Sequence, residues 1–246
     1  MSFKDHFSGH AGDYAKYRPA YPDALFAYLA SIVPVRELAW DCGTGNGQAA
    51  VGLAKHFARV VATDPSRQQI TNAILHARVQ YGVASDVAVD LPAGSVDLVT
   101  AAQAAHWFDL PAFYGEVARV LKPHGAIAIW CYGLSAVCHD VDRLVAHYYR
   151  DVVGPYWPPE RRYIDECYAT LAFPFAEELV RDLQMEQRWN LQDFVGYLHT
   201  WSATKAFQRA QGHDPLAALA PQLAEAWGAP ADVRTVRWPI HLRIGR

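Results

Sequence analysis

The sequence predicts a doubly wound α/β fold, and three observations carry that prediction. Short, continuous apolar runs recur at Leu38–Trp40, Val60–Thr63, Val79–Val83, Val96–Ala101 and Ala126–Cys131. Segments with apolar residues at helical spacing lie between most of them, as a parallel sheet covered on both faces requires. A glycine-rich turn directly follows the first run, where such folds hold a ligand. At 246 residues the chain suffices for one large domain, or one domain with a substantial insertion.

Residues 1–22 are rich in Tyr, His, Gly and Pro and read as an arm. A helix follows, with Pro22 and Asp23 suited to its first turn and Leu25, Phe26, Leu29, Ile32 and Val33 on one face; Pro34 ends it. Ala50, Leu53, Ala54 and Phe57 mark the helix after the first strand, and Ile70, Ala73, Ile74 and Ala77 the next. Between strands four and five, Asp109 is placed to cap a helix that turns Phe113, Val117, Val120 and Leu121 inward. Residues 35–131 therefore form the core. The alternation stops after Tyr132, and 133–203 reads mainly as a helical insertion over the sheet's end, broken at Gly154–Pro159. The tail, 234–246, returns to period two. Val236, Trp238, Ile240, Leu242 and Ile244 alternate with more polar positions, and Pro239 predicts a strand at or near a sheet edge.

Composition narrows the functions. Formal net charge is -3 and Lys and Arg are scattered, which argues against a nucleic-acid backbone as partner. The cysteines Cys42, Cys131, Cys138 and Cys167 have neither zinc-site spacing nor a CxxC and read as reduced, buried thiols. No metal is expected. The N-terminal stretch lacks a signal-peptide core and no segment resembles a membrane span, so the expectation is a soluble, cytoplasmic protein.

The strongest local signal is Asp41-Cys42-Gly43-Thr44-Gly45-Asn46-Gly47, set between a strand and a helix. Glycines there permit a sharp turn and expose peptide N–H groups to a ligand. A dinucleotide fingerprint places its third glycine at the position held here by Gln48. That argues for S-adenosylmethionine over a nicotinamide cofactor. Asp41 is suited to organising the loop and reaching an ammonium group. Asp64, at the end of the second strand, can take both ribose hydroxyls, or cap the next helix as Ser66 also can.

With these residues in view, the chain resembles the class I S-adenosylmethionine-dependent methyltransferases along its whole length, within the branch of trans-aconitate methyltransferase-like small-molecule enzymes. The features that carry the resemblance are Tyr14, Tyr17-Arg18-Pro19 and Tyr21-Pro22 of the arm, Ala102-Gln103-Ala104-Ala105-His106-Trp107-Phe108, and Arg119-Val120-Leu121-Lys122-Pro123. Tyr156-Trp157-Pro158-Pro159-Glu160-Arg161-Arg162 and Trp238-Pro239-Ile240-His241 complete the set. The resemblance implies a Rossmann-like, seven-stranded sheet whose last strand is antiparallel. It also implies that Asp41, Gly43, Gly45 and Gly47 hold the methionine portion, with Asp64 at the ribose and Pro65 beside the adenine. The Ser85-Asp86-Val87 corner would reach the adenine amino group. Relatives often carry Ala-Glu there, where this chain has Val87 after Asp86. Gln103 and Ala104 would lie under the sulfonium, and Tyr14 and Arg18 would close the arm as a lid.

The acceptor side is expected beyond strand four, at His106 and Trp107. A carboxylate acceptor is ionised at neutral pH and needs no base. An alcohol or amine would need one, and His106 could serve; packing beside Trp107 is the simpler alternative. The insertion supplies pocket candidates in Trp157, Arg161, Arg162, Tyr197 and Trp201, with Trp130 and Tyr132 after strand five. Arginine beside aromatic rings suits a small carboxylate. The expected function is methyl transfer to a small acid. O- or N-methylation of a neutral metabolite, and binding of S-adenosylmethionine without chemistry, are the alternatives.

Overall fold

Alternate residues of the central strands feed two different cores. In β5 (Leu121–Cys131), Ala126, Ala128 and Trp130 face one side of the sheet while Ile127, Ile129 and Cys131 face the other. The same division places Ala39 opposite Leu38, Trp40 and Cys42 in β1 (Leu38–Cys42). Both faces are thus buried, which is why these strands read as unbroken apolar runs. This computed structural model describes residues 17–86 and 89–246.

The strands are ordered β3-β2-β1-β4-β5-β7-β6, with β2 at Arg59–Asp64, β3 at Val79–Val83, β4 at Val96–Ala102, β6 at Leu183–Trp189 and β7 at Arg234–Gly245. Strands β1 to β5 are parallel, and β7 runs antiparallel to both of its neighbours. Helices α1 (Asp23–Ser31) and α2 (Gln48–Ala54) cover one face through Leu25, Phe26, Leu29 and Leu53. On the other face lies α4 (Leu110–Val120), capped by Asp109, with Phe113, Val117 and Val120 buried. The order reverses between β1 and β4, and the loops after those two strands open at this switch point.

Three expectations need correction. The insertion is not mainly helical throughout, because it contributes the edge strand β6. Met185 and Trp189 of β6 are buried while Gln184, Glu186 and Arg188 are exposed, the period-two pattern of a strand with one covered face. Helices α5 (His139–His147), α6 (Arg161–Asp165), α7 (Leu191–His199) and α8 (Ser202–Gln211) make up much of the rest. Strand β7 lies near the sheet edge as expected, one place in from β6. Arg237 exchanges backbone hydrogen bonds with Ala136, so position 239, two residues on, turns its missing N–H toward the same side. There it falls between that isolated bridge and the β5 ladder, which begins at Cys131 opposite His241, so Pro239 removes no ladder bond. The helix read through Ile70 to Ala77 is only α3 (Arg67–Thr71), started by the Ser66 cap. Finally, Cys42 and Cys131 are buried as expected, but Cys167 is exposed; all four thiols are free.

No helix among the described residues is long and apolar enough to cross a membrane.

Candidate active site

The loop Asp41–Gly47 is built from the strand end inward. Gly43, Gly45 and Gly47 all have left-handed backbones, with φ of +68°, +56° and +85°. Gly43 also allows a close approach, since a Cβ there would sit 2.7 Å from the Ala104 Cβ and 2.9 Å from the Phe108 ring. Gly45 differs, because its Cβ would meet no atom of the described residues within 4 Å. Among the described residues, open space therefore lies over the middle of the loop.

Two buried carboxylates shape this loop from below. Asp41 accepts hydrogen bonds from Thr44 Oγ1 (2.5 Å) and Thr100 Oγ1 (2.7 Å) and is fully buried. Burial lifts its carboxyl to about 6, partly countered by those two hydrogen bonds and increased by the nearby charge of Asp64. Asp64 accepts from the Gly45 N–H (2.9 Å) and the Ser66 N–H (2.8 Å), so it ties the β2 end to the glycine loop. Pro65, next to it, is half-buried. In the following corner Ser85 is exposed, and Asp86 accepts from the Asp109 N–H (2.8 Å), joining the corner to the start of α4. Tyr14 and Val87 lie outside the described residues.

Gln48 does more than displace a glycine. Its amide accepts from the Tyr21 N–H (3.1 Å) and donates to the Pro19 carbonyl (3.2 Å), pinning the arm to the first turn of α2. Arg18 reaches onward, donating to Tyr132 Oη (3.2 Å) and to the Thr200 carbonyl (3.3 Å), 5.9 Å from the centre of the Tyr197 ring. The arm thereby spans the crevice from the glycine loop to α7.

Beyond β4, Gln103 adopts φ +54°, a left-handed conformation that costs a non-glycine residue about 1–2 kcal/mol. Its side chain recovers part of this by exchanging hydrogen bonds with the Tyr132 backbone, at 2.8 and 3.1 Å, while its N–H donates to the Trp130 carbonyl. Strained backbone held this firmly marks the strand end as functional. Ala104 and His106 follow, both buried, and Trp107 packs 4.8 Å from the His106 ring. His106 Nδ1 lies 2.7 Å from Tyr168 Oη. Burial, and then the Arg161 charge, lower the imidazole to about 3, so the ring is neutral at physiological pH.

The insertion places its aromatic residues as a contiguous wall. Trp201 lies 5.7 Å from Trp157, 5.8 Å from Tyr197 and 5.8 Å from Tyr149. Arg161 turns into this wall, 4.5 Å from the Trp157 ring centre and 5.2 Å from that of Tyr149, with Nε donating to Tyr149 Oη (2.7 Å). Arg162 does not join it. It is exposed, stacked at 4.7 Å on Tyr163, and helical geometry turns it away from its neighbour. Trp130 and Tyr132 sit beneath the arm, with Tyr21 5.5 and 6.3 Å away respectively. Trp130 is fully buried and its Nε1 has no hydrogen-bond partner among the described residues.

Sequence reasoning passed over Thr44, Thr100, Tyr149 and Tyr168. Thr44 stood inside the glycine loop and was legible. The other three become neighbours of the site only through the fold.

Comparison with known proteins agrees with this geometry. A methyltransferase domain matches residues 40–129, which run from the end of β1 into β5. A Dictyostelium discoideum protein provisionally named a methyltransferase is 36% identical over 99% of this chain and 95% of its own. The solved structure of a provisionally named type II methyltransferase from Anaeromyxobacter dehalogenans has a TM-score of 0.89. It is 47% identical, over 94% of this chain and 98% of that one. The methyltransferase cfoB of Aspergillus candidus is 32% identical over 66% of this chain, which spans 56% of that relative's length. The chain belongs to the class I S-adenosylmethionine-dependent methyltransferases, and it is an enzyme of that class.

Proposed function

We propose that the protein transfers a methyl group to a carboxylate of a small organic acid, giving a methyl ester, in keeping with the trans-aconitate methyltransferase-like branch. The observation that carries this reading is Arg161, a half-buried guanidinium packed against the adjoining rings of Trp157 and Tyr149 and close enough to bias the His106 imidazole. Among the described residues its hydrogen bond is made through Nε, which also lies 3.7 Å from the Asp165 carboxylate, so the terminal nitrogens are left to a bidentate anion.

The residues present fit the cofactor. Open space over Gly45, left-handed glycines around it and Asp64 behind the loop form a cradle for the amino-acid and ribose parts. Pro65 and the Ser85–Asp86 corner would flank the adenine, with Gln103 and Ala104 below the reacting end and Arg18 holding the arm over it. When bound, S-adenosylmethionine supplies a methyl whose carbon–sulfur bond breaks, its electrons passing to sulfur, as the acceptor oxygen forms the new carbon–oxygen bond. The protein's contribution is then alignment, which supplies about 7–11 kcal/mol where reacting groups are well held. Arg161 orients the acid, Gln103 fixes the β4 end, and the aromatic wall with Trp107 excludes water. No proton has to move, which suits a histidine that stays neutral.

Methylation of a neutral alcohol or amine is less well served, because it needs a base and His106 is a poor one at about 3.

Asp41 gives this reading a pH signature. Below about pH 6 its carboxyl is neutral and no longer attracts the cofactor's ammonium group. Cofactor affinity is therefore expected to weaken as pH falls through 6, and Asp41→Asn to bind weakly with that pH dependence removed. Calorimetric titration from pH 5 to 8 checks both. Equal slopes in the two proteins would remove Asp41 from the ammonium site.

The direct test of the acceptor is transfer of label from methyl-labelled S-adenosylmethionine into a panel of acids, amines and phenols. Label released by mild base identifies an ester.

A further inference from the structure

We propose that Tyr168 is a positioning residue that locks His106 in the Nε2–H tautomer, so that His106 and Arg161 present only hydrogen-bond donors to the acceptor. The choice of acceptor class rests on the acid reading above; the tautomer rests on geometry alone.

Tyr168 is fully buried, and among the described residues its Oη makes one hydrogen bond, to His106 Nδ1 at 2.7 Å. Nδ1 is therefore the one acceptor among the described residues that the phenol's own proton can reach. The opposite assignment would put Nδ1–H against the same oxygen and leave a buried O–H with no acceptor, a cost of about 1–3 kcal/mol. At roughly 1.4 kcal/mol per factor of ten, that difference sets the tautomer ratio at about tenfold to a hundredfold. Tyr168 therefore donates, Nδ1 accepts, and the ring's proton sits on Nε2.

Nε2 makes no hydrogen bond to any described residue, and it is not among the fully buried polar atoms that lack a partner, so it remains accessible. Tyr168 holds its place by a backbone at φ +62°, directly after Cys167 at +56°. Two consecutive left-handed non-glycine residues are costly, and their effect is to bring this phenol under His106.

The consequence is a specificity rule. Arginine offers donors only, and a histidine locked as Nε2–H also offers a donor. Such a pair is complementary to a group with acceptors and no protons, as in a carboxylate. A neutral alcohol or amine offers fewer lone pairs and no charge, and its own proton finds no acceptor in this pair. The site thus selects by rejecting protonated acceptors as well as by attracting charge.

Nitrogen-15 NMR of the histidine rings in the full-length protein tests this without any variant. The expected result for His106 is an unprotonated Nδ1 and a protonated Nε2. A protonated Nδ1 would overturn the proposal. In Tyr168→Phe, the ring nitrogens are expected to shift toward averaged values and KM for the acid to rise about tenfold, with cofactor Kd unchanged. An unaltered tautomer together with an unaltered KM would also overturn it. His106→Gln places an amide donor near the Nε2 position and should retain more activity than His106→Leu; equal losses would count against a donor role. If the wild-type tautomer is Nε2–H and no acid is methylated, the acid reading fails while the Tyr168 lock stands.

Discussion

Arg161→Gln is expected to lower kcat/KM for an acid acceptor about tenfold to a hundredfold, as loss of a charge-assisted contact of about 1.5–3 kcal/mol requires. Arg162→Gln, one position along, is expected to leave it essentially unchanged. The contrast follows from where each guanidinium lies. Arg161 packs against the Trp157 and Tyr149 rings, is bonded to the Tyr149 hydroxyl and lies 3.7 Å from Asp165, with its side chain only 17% exposed, so its charge acts through little water. Arg162 lies in solvent against Tyr163, where a charge is screened. Arg161→Lys should behave like Arg161→Gln more than like wild type, because lysine keeps the charge but loses the planar fork. Steady-state kinetics with a separate cofactor titration check this. Unchanged kcat/KM in Arg161→Gln would remove the anion site.

Gly45→Ala is expected to separate cofactor binding from stability. A Cβ at Gly45 meets no atom of the described residues within 4 Å, so among them only the left-handed backbone opposes it, by about 1–2 kcal/mol. For a chain of this size each kcal/mol lowers Tm by roughly 2–4 °C. The methyl group enters the space assigned to the cofactor, and affinity should fall by about tenfold or more, a cost of about 1.4 kcal/mol upward. Gly43→Ala should show the reverse balance. Its Cβ would press on Ala104 and Phe108, adding overpacking of about 1–3 kcal/mol to the backbone cost and lowering Tm further. Thermal unfolding with and without the demethylated cofactor reads both. Full retention of cofactor affinity in Gly45→Ala would move the cofactor elsewhere.

These variants also show which parts of the protein were legible in the sequence. Strands β1, β4 and β5 announced themselves because burial on both faces leaves few polar positions to interrupt them, whereas the edge strand β3 was legible only as a short apolar run. The glycine loop was legible for a related reason, since left-handed backbone narrows the choice of residue at Gly43, Gly45 and Gly47. Strand β6 was hidden by its single covered face, where Leu183 and Gln187 are only half-buried and the alternation is weak. Pro239 pointed to a strand at or near the edge, and β7 lies one place in from β6; the sequence does not reveal that Pro239 falls where the β5 ladder has ended.

The candidate site divides the same way. Asp41, Asp64 and Gln103 stand at strand ends that periodicity locates. Arg161 and Arg162 are adjacent in the chain, and only the turn of α6 decides which one faces Trp157. Tyr168 is 62 residues from His106, and nothing local links the two. Chemistry carried by strand ends could be read in advance, whereas chemistry assembled by the insertion could not.

The measurement that bears most directly on the central claim is the fate of label from methyl-labelled S-adenosylmethionine offered with pooled small carboxylic acids, amines and phenols. The account predicts transfer into a solvent-extractable product that loses its label under mild base, and that transfer falls sharply in Arg161→Gln. Label found instead in base-stable amine or ether products, at equal rates in wild type and Arg161→Gln, would contradict it.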